Sequence, residues 1–336
     1  MSGQPENTTK QRRRWLWLTA ALFLGLVAAG AAAAWIGWQR YAGPGPLATD
    51  TVLIIPRGTG VQGIARTLAD GGVTRHEWDM LVAVRLRGDG ARLRAGEYRF
   101  AAGISLEQAI DLVISGKTVI HRVTVPEGLT SWQIVELLKA QPAMAGEVTT
   151  IPADGTLLPE TYHFLRDDAR SAVLARMGAD MTQVLERLWA ERAPDLPLKT
   201  PAEAVILASI VEKETGVAAE RPRVAGVFIN RLRLGMRLQS DPTIIYALSD
   251  ARGQIDRDLT RADWRLESPY NTYMVDGLPP GPIANPGLLS LRAVLQPESH
   301  KYLYFVADGT GGHAFAETLE QHNRNVVNWR RVRDGG

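Results

Sequence analysis

The sequence contains no cysteine among its 336 residues. Disulfide bonds, thiolate nucleophiles and cysteine-ligated zinc are therefore excluded. Histidine is scarce, with six residues, and none of them forms an H-E-x-x-H pair or a similar ligand spacing. The sequence therefore predicts no metal site and no cofactor.

The chain also lacks a surplus of either charge, with 38 Lys and Arg against 36 Asp and Glu. The small positive excess comes from Lys10, Arg12, Arg13 and Arg14, which stand with Glu6 ahead of the first apolar run. The remainder is nearly neutral and has no dominant basic run, which argues against nucleic-acid binding. Apolar residues make up 45% and charged residues 22%, values typical of a folded protein.

The first apolar run, Trp15–Trp38, contains no charged residue. As a helix it would be roughly 36 Å long, enough to cross a bilayer core. Tryptophans stand at both of its ends, where interfacial aromatics belong, and the basic cluster precedes it. We therefore expect a cytoplasmic tail (residues 1–14), a transmembrane helix (residues 15–38) and an exported body. The alternative is a cleaved signal peptide with small residues at Ala31–Ala34, but the apolar run is longer than such peptides use.

Residues 47–120 predict a small strand–helix–helix–strand module followed by a further helix. The segment Gly58–Gly63 fits the dinucleotide pattern G-x-G-x-x-G, with Glu77 and Asp79 about 20 residues further on. In a nucleotide site the acidic residue would close a second parallel strand, whereas here it stands in a helical pattern. We therefore do not favour nucleotide binding.

The segment from Thr200 has the signals of a helix start, with Pro201 at the first helical position and Glu203 completing a capping box. The uncharged run Ala204–Val211 covers every face of a helix, which predicts that the helix is buried. It ends in Glu212-Lys-Glu214.

The two glutamates lie about 200° apart around the helix axis and cannot serve one site together. Larger apolar residues lie beneath Glu214 than beneath Glu212, and partial burial would raise the pKa of Glu214 and keep it protonated, as a general acid requires. The alternative is an exposed helix end with two solvated carboxylates.

Six segments carry a likeness to a known protein family: Ala208–Thr215, Val227–Leu232, Gly235–Thr243, Tyr270–Tyr273, Gly277–Gly287 and Tyr302–Gly309. They resemble the endolytic murein transglycosylase family, MltG or YceG-like. The likeness covers the apolar run, the module and the C-terminal half, and it is weakest across residues 140–200. Within the module, Ile55–Leu68 resembles the opening of a LysM domain, which grips peptidoglycan sugars; the alternative is a folded spacer.

The resemblance implies that Glu214 is the catalytic acid and base of a lytic cut between N-acetylmuramic acid and N-acetylglucosamine. The muramyl C6 hydroxyl would close a 1,6-anhydro ring, so no water and no second carboxylate are needed. One alternative is a hydrolytic muramidase, with Asp241, Glu160 or Asp276 as its second carboxylate. Another is a non-enzymatic wall-binding scaffold.

The matching segments also contain polar and aromatic residues suited to sugar binding, although each could equally hold the fold together. They are Asn230, Gln239, Asp241, Tyr270, Asn271 and Tyr273. The resemblance further implies an inner-membrane enzyme with a periplasmic catalytic domain. It acts on peptidoglycan strands beside peptidoglycan synthases (penicillin-binding proteins), and its cuts terminate strand growth. The expected fold is α+β: a transmembrane helix, a LysM-like βααβ module (47–120) and a mixed catalytic domain (121–336).

Overall fold

The structure, a computed structural model, describes residues 7–334 of the chain. Residues 1–6, with Glu6 and part of the predicted cytoplasmic tail, lie outside the described residues, as do residues 335–336. The chain divides into two compact units, Met1–Ile120 and His121–Gly336. Both mix helices with short strands, which confirms the mixed α+β content.

The first unit begins with a long apolar helix, α1 (Asn7–Ala42). Within the described chain, its Gln11–Ala42 stretch is the one segment long and apolar enough to cross a membrane, with a mean hydropathy of 2.0. Its large apolar side chains stand exposed, for example Leu24 at 71%. An apolar surface of this extent needs a cover other than water. The N-terminal apolar helix is thus confirmed, and it extends past both ends of the predicted span.

The rest of the first unit is a small module around its own apolar core. Its elements are β1 (Thr51–Ile55), α2 (Val61–Asp70), α3 (Glu77–Arg87), β2 (Gly96–Phe100) and α4 (Leu106–Ser115). β1 and β2 pair antiparallel, with Leu53 opposite Tyr98. Glu77 and Asp79 lie in the first turn of α3. The strand pair is antiparallel, and α2 is followed directly by α3 with no strand between them, so the arrangement differs from that of a dinucleotide site.

The second unit is mainly helical, with two strand pairs. Its elements are β3 (Ile120–Thr124, which begins at the last residue of the first unit), α5 (Ser131–Lys139), β4 (Thr161–Leu165), α6 (Arg170–Ala190), α7 (Pro201–Glu214), α8 (Arg221–Arg233), α9 (Asp241–Leu248), α10 (Leu288–Leu295), β5 (Tyr304–Ala307), β6 (His313–Ala316) and α11 (Leu319–Asp334). β3 pairs with β4, and β5 forms an antiparallel hairpin with β6. The glycine-rich segment Gly309–Gly312 forms the loop of this hairpin.

Helix α7 lies in the core of this unit, against α8 and α10. All eight residues of Ala204–Val211 are buried, as the uncharged run predicts. Thr200 Oγ1 accepts a hydrogen bond from the Glu203 amide at 3.2 Å and so caps the helix. The predicted return bond of the capping box is wrong, because the Glu203 carboxylate accepts from Lys199 N, one residue ahead of the cap.

Candidate active site

Glu214 is the last residue of α7, and its side chain meets the start of α9. Ser240 Oγ donates a hydrogen bond to Glu214 Oε1 at 2.5 Å. Ser240 is itself buried and held on both sides of its backbone. Its amide donates to Thr272 Oγ1 at 2.9 Å, and its carbonyl accepts from Thr243 Oγ1 at 2.6 Å. The hydroxyl that meets Glu214 is therefore fixed in place by buried threonines.

Burial raises the pKa of Glu214 from its ordinary value to about 7. The Ser240 hydrogen bond opposes this effect because it stabilises the ionised carboxylate. The negative charge of Asp241 raises the pKa further, whereas His313 and Arg231 lower it. A carboxyl that titrates near neutrality can both donate and accept a proton in one reaction cycle.

Asp241 follows Ser240 in the chain, and its carboxylate is hydrogen-bonded to an aromatic pair. Its Oδ1 accepts a hydrogen bond from the Tyr273 hydroxyl at 2.7 Å and one from Trp264 Nε1 at 3.2 Å. The two rings stack with centroids 6.2 Å apart and planes inclined by 29°. Burial and the Asp241 carboxylate raise the pKa of Tyr273, so its hydroxyl stays protonated and keeps donating. The result is a partly exposed aromatic surface beside the acid.

Glu212 belongs to a separate network on another face of α7. Its carboxylate accepts from Arg221 Nη2 at 2.9 Å and from the Gly287 amide at 2.9 Å. Arg221 Nη2 also pairs with Glu127 at 3.0 Å. The side chains of Glu212 and Arg221 are only 4% and 8% exposed. The two glutamates thus have different partners, and the helix end is not the exposed turn that the alternative interpretation required.

Two predicted substrate-binding residues use their amide groups to hold the backbone. Asn230 Nδ2 donates to the carbonyls of His300 at 2.8 Å and Tyr302 at 3.1 Å. Asn271 is fully buried, and its Nδ2 donates to the Leu266 carbonyl at 2.8 Å. These contacts match the fold-stabilising alternative left open for each residue.

The other four predicted binding residues divide between the site and its support. Asp241 and Tyr273 lie near enough to Glu214 to interact through charge, since Asp241 raises the pKa of Glu214 and Glu214 raises the pKa of Tyr273. Gln239 is exposed and precedes Ser240, with its backbone in the left-handed region at φ 52°. Tyr270 packs its ring 4.9 Å from that of Tyr246 and so supports α9.

The three carboxylates considered as partners for a hydrolytic mechanism lie in different surroundings. Asp241 acts on the pKa of Glu214 through its charge. Asp276 pairs with Arg237 Nε at 2.8 Å. Glu160 is exposed at the start of β4, where it accepts from the Thr161 amide.

Sequence patterns alone missed Ser240, Trp264 and His313. His313 Nδ1 lies 2.8 Å from Glu220 Oε2, and its amide donates to the same carboxylate. Ser240 stands inside the segment Gly235–Thr243, so polarity within a matching segment was the one available signal.

Across residues 7–334, no group of three or more His, Asp or Glu side chains is arranged to hold a metal ion.

Comparison with known proteins gives matches over most of the chain. The YceG-like family model matches residues 53–328. A Bacillus subtilis (strain 168) protein named endolytic murein transglycosylase is 32% identical over 303 residues, which cover 80% of this chain and 82% of that protein. A protein of the same name from Streptococcus pneumoniae serotype 2 is 29% identical, over 81% of this chain and 57% of its own length. The crystal structure of a yceG-like protein from Listeria monocytogenes, 30% identical, covers 82% of this chain and 99% of its own with a TM-score of 0.51.

Proposed function

This chain belongs to the YceG-like family and is a lytic transglycosylase, and on that premise we propose that it cuts peptidoglycan strands between N-acetylmuramic acid and N-acetylglucosamine, leaving 1,6-anhydro ends. The observation that carries the proposal is the single carboxyl of Glu214, whose pKa burial raises to about 7. The names of the relatives support the substrate class.

The cut consists of two proton transfers through the same carboxyl group. Protonated Glu214 first donates its proton to the bridging oxygen, and the bond from that oxygen to the muramyl C1 breaks. Ionised Glu214 then takes the proton of the muramyl C6 hydroxyl. The oxygen of that hydroxyl attacks C1 at the same time and closes the anhydro ring. The proton returns to Glu214, so no water is consumed. The Ser240 hydroxyl supports the ionised form between the two steps.

A hydrolytic cut is the second candidate, because Asp241 stands close enough to act on Glu214. Its carboxylate would have to activate a water molecule, as in glycosidases that use two carboxyl groups. Mass spectrometry of the products from purified glycan strands separates the two reactions. Anhydro-muramyl ends support the lytic cut, whereas reducing ends that carry one additional water would overturn it.

We also propose that α1 anchors the chain in the inner membrane with a cytoplasmic N-terminus and a periplasmic body. The support is the length and exposure of α1, together with the basic residues Arg12, Arg13 and Arg14 at its start. Protease added outside spheroplasts should digest the body while a tag at the N-terminus survives. Protection of the body would contradict this orientation.

The module of the first unit is proposed to bind glycan in the manner of a LysM domain. Its strand–helix–helix–strand order, with β1 paired to β2, supports this role. Hydrogen exchange on the full-length Glu214→Gln protein with uncut glycan strands tests it. Slower exchange in residues 51–70 is expected, and unchanged exchange there, with slower exchange around Glu214, would leave the module as a spacer.

Termination of nascent strands beside peptidoglycan synthases is proposed as the cellular role. A membrane-attached cutter acts where new strands emerge, which is the physical basis of this proposal. Cells that carry only Glu214→Gln protein should contain longer glycan strands than the parent, measured by chromatography of strands freed from their peptides. An unchanged length distribution would contradict the role.

A further inference from the structure

Helix α3 carries an exposed apolar stripe on one face. Trp78, Val82 and Leu86 are 68%, 55% and 83% exposed and stand four residues apart, so they share that face. Met80 and Val84, from another face of the same helix, are buried in the module. The stripe therefore does not form part of the buried core of the first unit.

The stripe faces the last turns of α1, which belong to the same unit. Between the two helices lies a groove of about 820 Å³ with a mostly apolar lining. The α1 side of the groove includes Ala33, Gly37 and Trp38, and the α3 side includes all three residues of the stripe.

Polar contacts fix α3 beside α1. Arg40 Nη1 lies 3.5 Å from Asp79 Oδ1. Arg87 Nη1 donates to the Tyr41 hydroxyl at 3.1 Å, and that hydroxyl donates to Glu107 of α4 at 3.3 Å. These contacts therefore hold the stripe at a fixed position along the axis of α1.

That position along α1 is the C-terminal end of the apolar run Trp15–Trp38. Ala33 and Trp38 are separated by about 7–8 Å along a helix, a distance within the roughly 5–10 Å to which interfacial helices sink. Trp35 and Trp38 of α1 are 64% and 59% exposed at the same level. Trp78 thus adds a further aromatic ring at the depth where such rings concentrate in bilayers.

We propose that Trp78, Val82 and Leu86 form a second membrane contact: α3 lies in the interfacial layer of the bilayer, and lipid fills the groove between α3 and α1. Lipid is the occupant because the stripe continues the exposed apolar surface of α1. Exposed Arg85 follows Val82 by three residues on α3 and so neighbours the stripe, where its charge suits anionic headgroups. This inference rests on the proposed anchoring of α1 and adds that the module is held flat on the membrane surface.

The absence of cysteine makes a direct test simple, because one introduced cysteine can be labelled alone. The full-length chain carrying Trp78→Cys, Val82→Cys or Leu86→Cys would be labelled with an environment-sensitive fluorophore. The protein is then placed in vesicles of phosphatidylethanolamine and phosphatidylglycerol. Quenching is measured with nitroxide-bearing lipid and with aqueous iodide. Leu24→Cys reports on α1, and Ile54→Cys is a matched control, since Ile54 is an exposed apolar residue of β1 outside the groove.

The nitroxide lipid is expected to quench most of the emission of labels at positions 78, 82, 86 and 24. Iodide is expected to quench most of the emission of the label at position 54. Quenching by iodide at the three α3 positions, with Leu24→Cys still quenched by lipid, would overturn the inference and leave the anchor standing. Quenching of Leu24→Cys by iodide would overturn both. Protection of the α3 positions from both quenchers would mean that protein covers the stripe. Equal quenching by lipid at position 54 and on α3 would mean that the attached label itself partitions into the bilayer. Either result overturns the inference.

Discussion

The hydroxyl of Ser240 donates a hydrogen bond to the carboxyl of Glu214 over 2.5 Å, across a separation of 26 residues in the chain. Burial favours the protonated acid, while this hydrogen bond favours the ionised one. Their balance leaves a pKa of about 7. A single side chain can then serve as acid in one step and as base in the next.

The rate of cutting should depend on pH through this carboxyl. The free enzyme must hold Glu214 protonated to begin the reaction, and its pKa is raised to about 7. We therefore expect kcat/KM to fall as pH rises above about 7, by about tenfold per pH unit. Initial rates on soluble glycan strands between pH 5 and pH 9 measure this. A flat profile across that range would exclude Glu214 as the acid.

Ser240→Ala removes the hydrogen bond that lowers the pKa of Glu214. The pKa should rise, so the alkaline fall in kcat/KM should move to higher pH. Loss of support for the ionised form should also lower kcat by about tenfold, the equivalent of one hydrogen bond to a charged group. Ser249→Ala is the matched control, because Ser249 is buried at the end of α9 and donates to the Tyr246 carbonyl. Identical profiles for the two variants would contradict the role of Ser240.

His313→Ala should also raise the pKa of Glu214. The interaction of Glu214 with His313, whose Nδ1 lies 2.8 Å from Glu220 Oε2, lowers that pKa in the native protein. The alkaline limb of the rate profile should therefore shift upward while the fold stays intact. His163, exposed on β4, supplies the control substitution His163→Ala. A downward shift would mean that His313 acts on the acid in another way.

Local signals predicted the helix that carries the acid, but not the partners of that acid. The start of α7 is determined by Thr200 and Pro201, and its burial by the uncharged run Ala204–Val211. All of these signals are local to the helix. The contact with Ser240 depends on how α9 packs against α7, which no periodicity encodes. The family-like segments marked Asn230 as polar without showing that backbone carbonyls occupy its amide.

The same limit applies to Glu212. The angle between neighbouring side chains on a helix separated it from Glu214, as the structure confirms. Its burial against Arg221 depends on a residue from the next helix. Long-range pairs of this kind arise from tertiary packing, so a single sequence does not specify them.

Arg221→Met should destabilise the protein strongly. It leaves the buried Glu212 carboxylate without its cation, and breaking a buried pair costs about 3–5 kcal/mol. The surface pair of Lys139 and Glu136 is the control, since both side chains are nearly half exposed. Lys139→Met should cost no more than about 1 kcal/mol. Urea unfolding of the full chain measures both, and equal losses would contradict a stabilising role for the Arg221 network.

In the proposed reaction one carboxyl group, that of Glu214, performs both proton transfers. Glu214→Gln keeps the shape of the side chain but can neither release nor accept the proton. We expect the variant protein to fold, shown by an unchanged circular dichroism spectrum, and to release anhydro-muramyl products at least about 100-fold more slowly from purified glycan strands. Release at the rate of the unaltered protein would show that Glu214 does not carry the proton transfers.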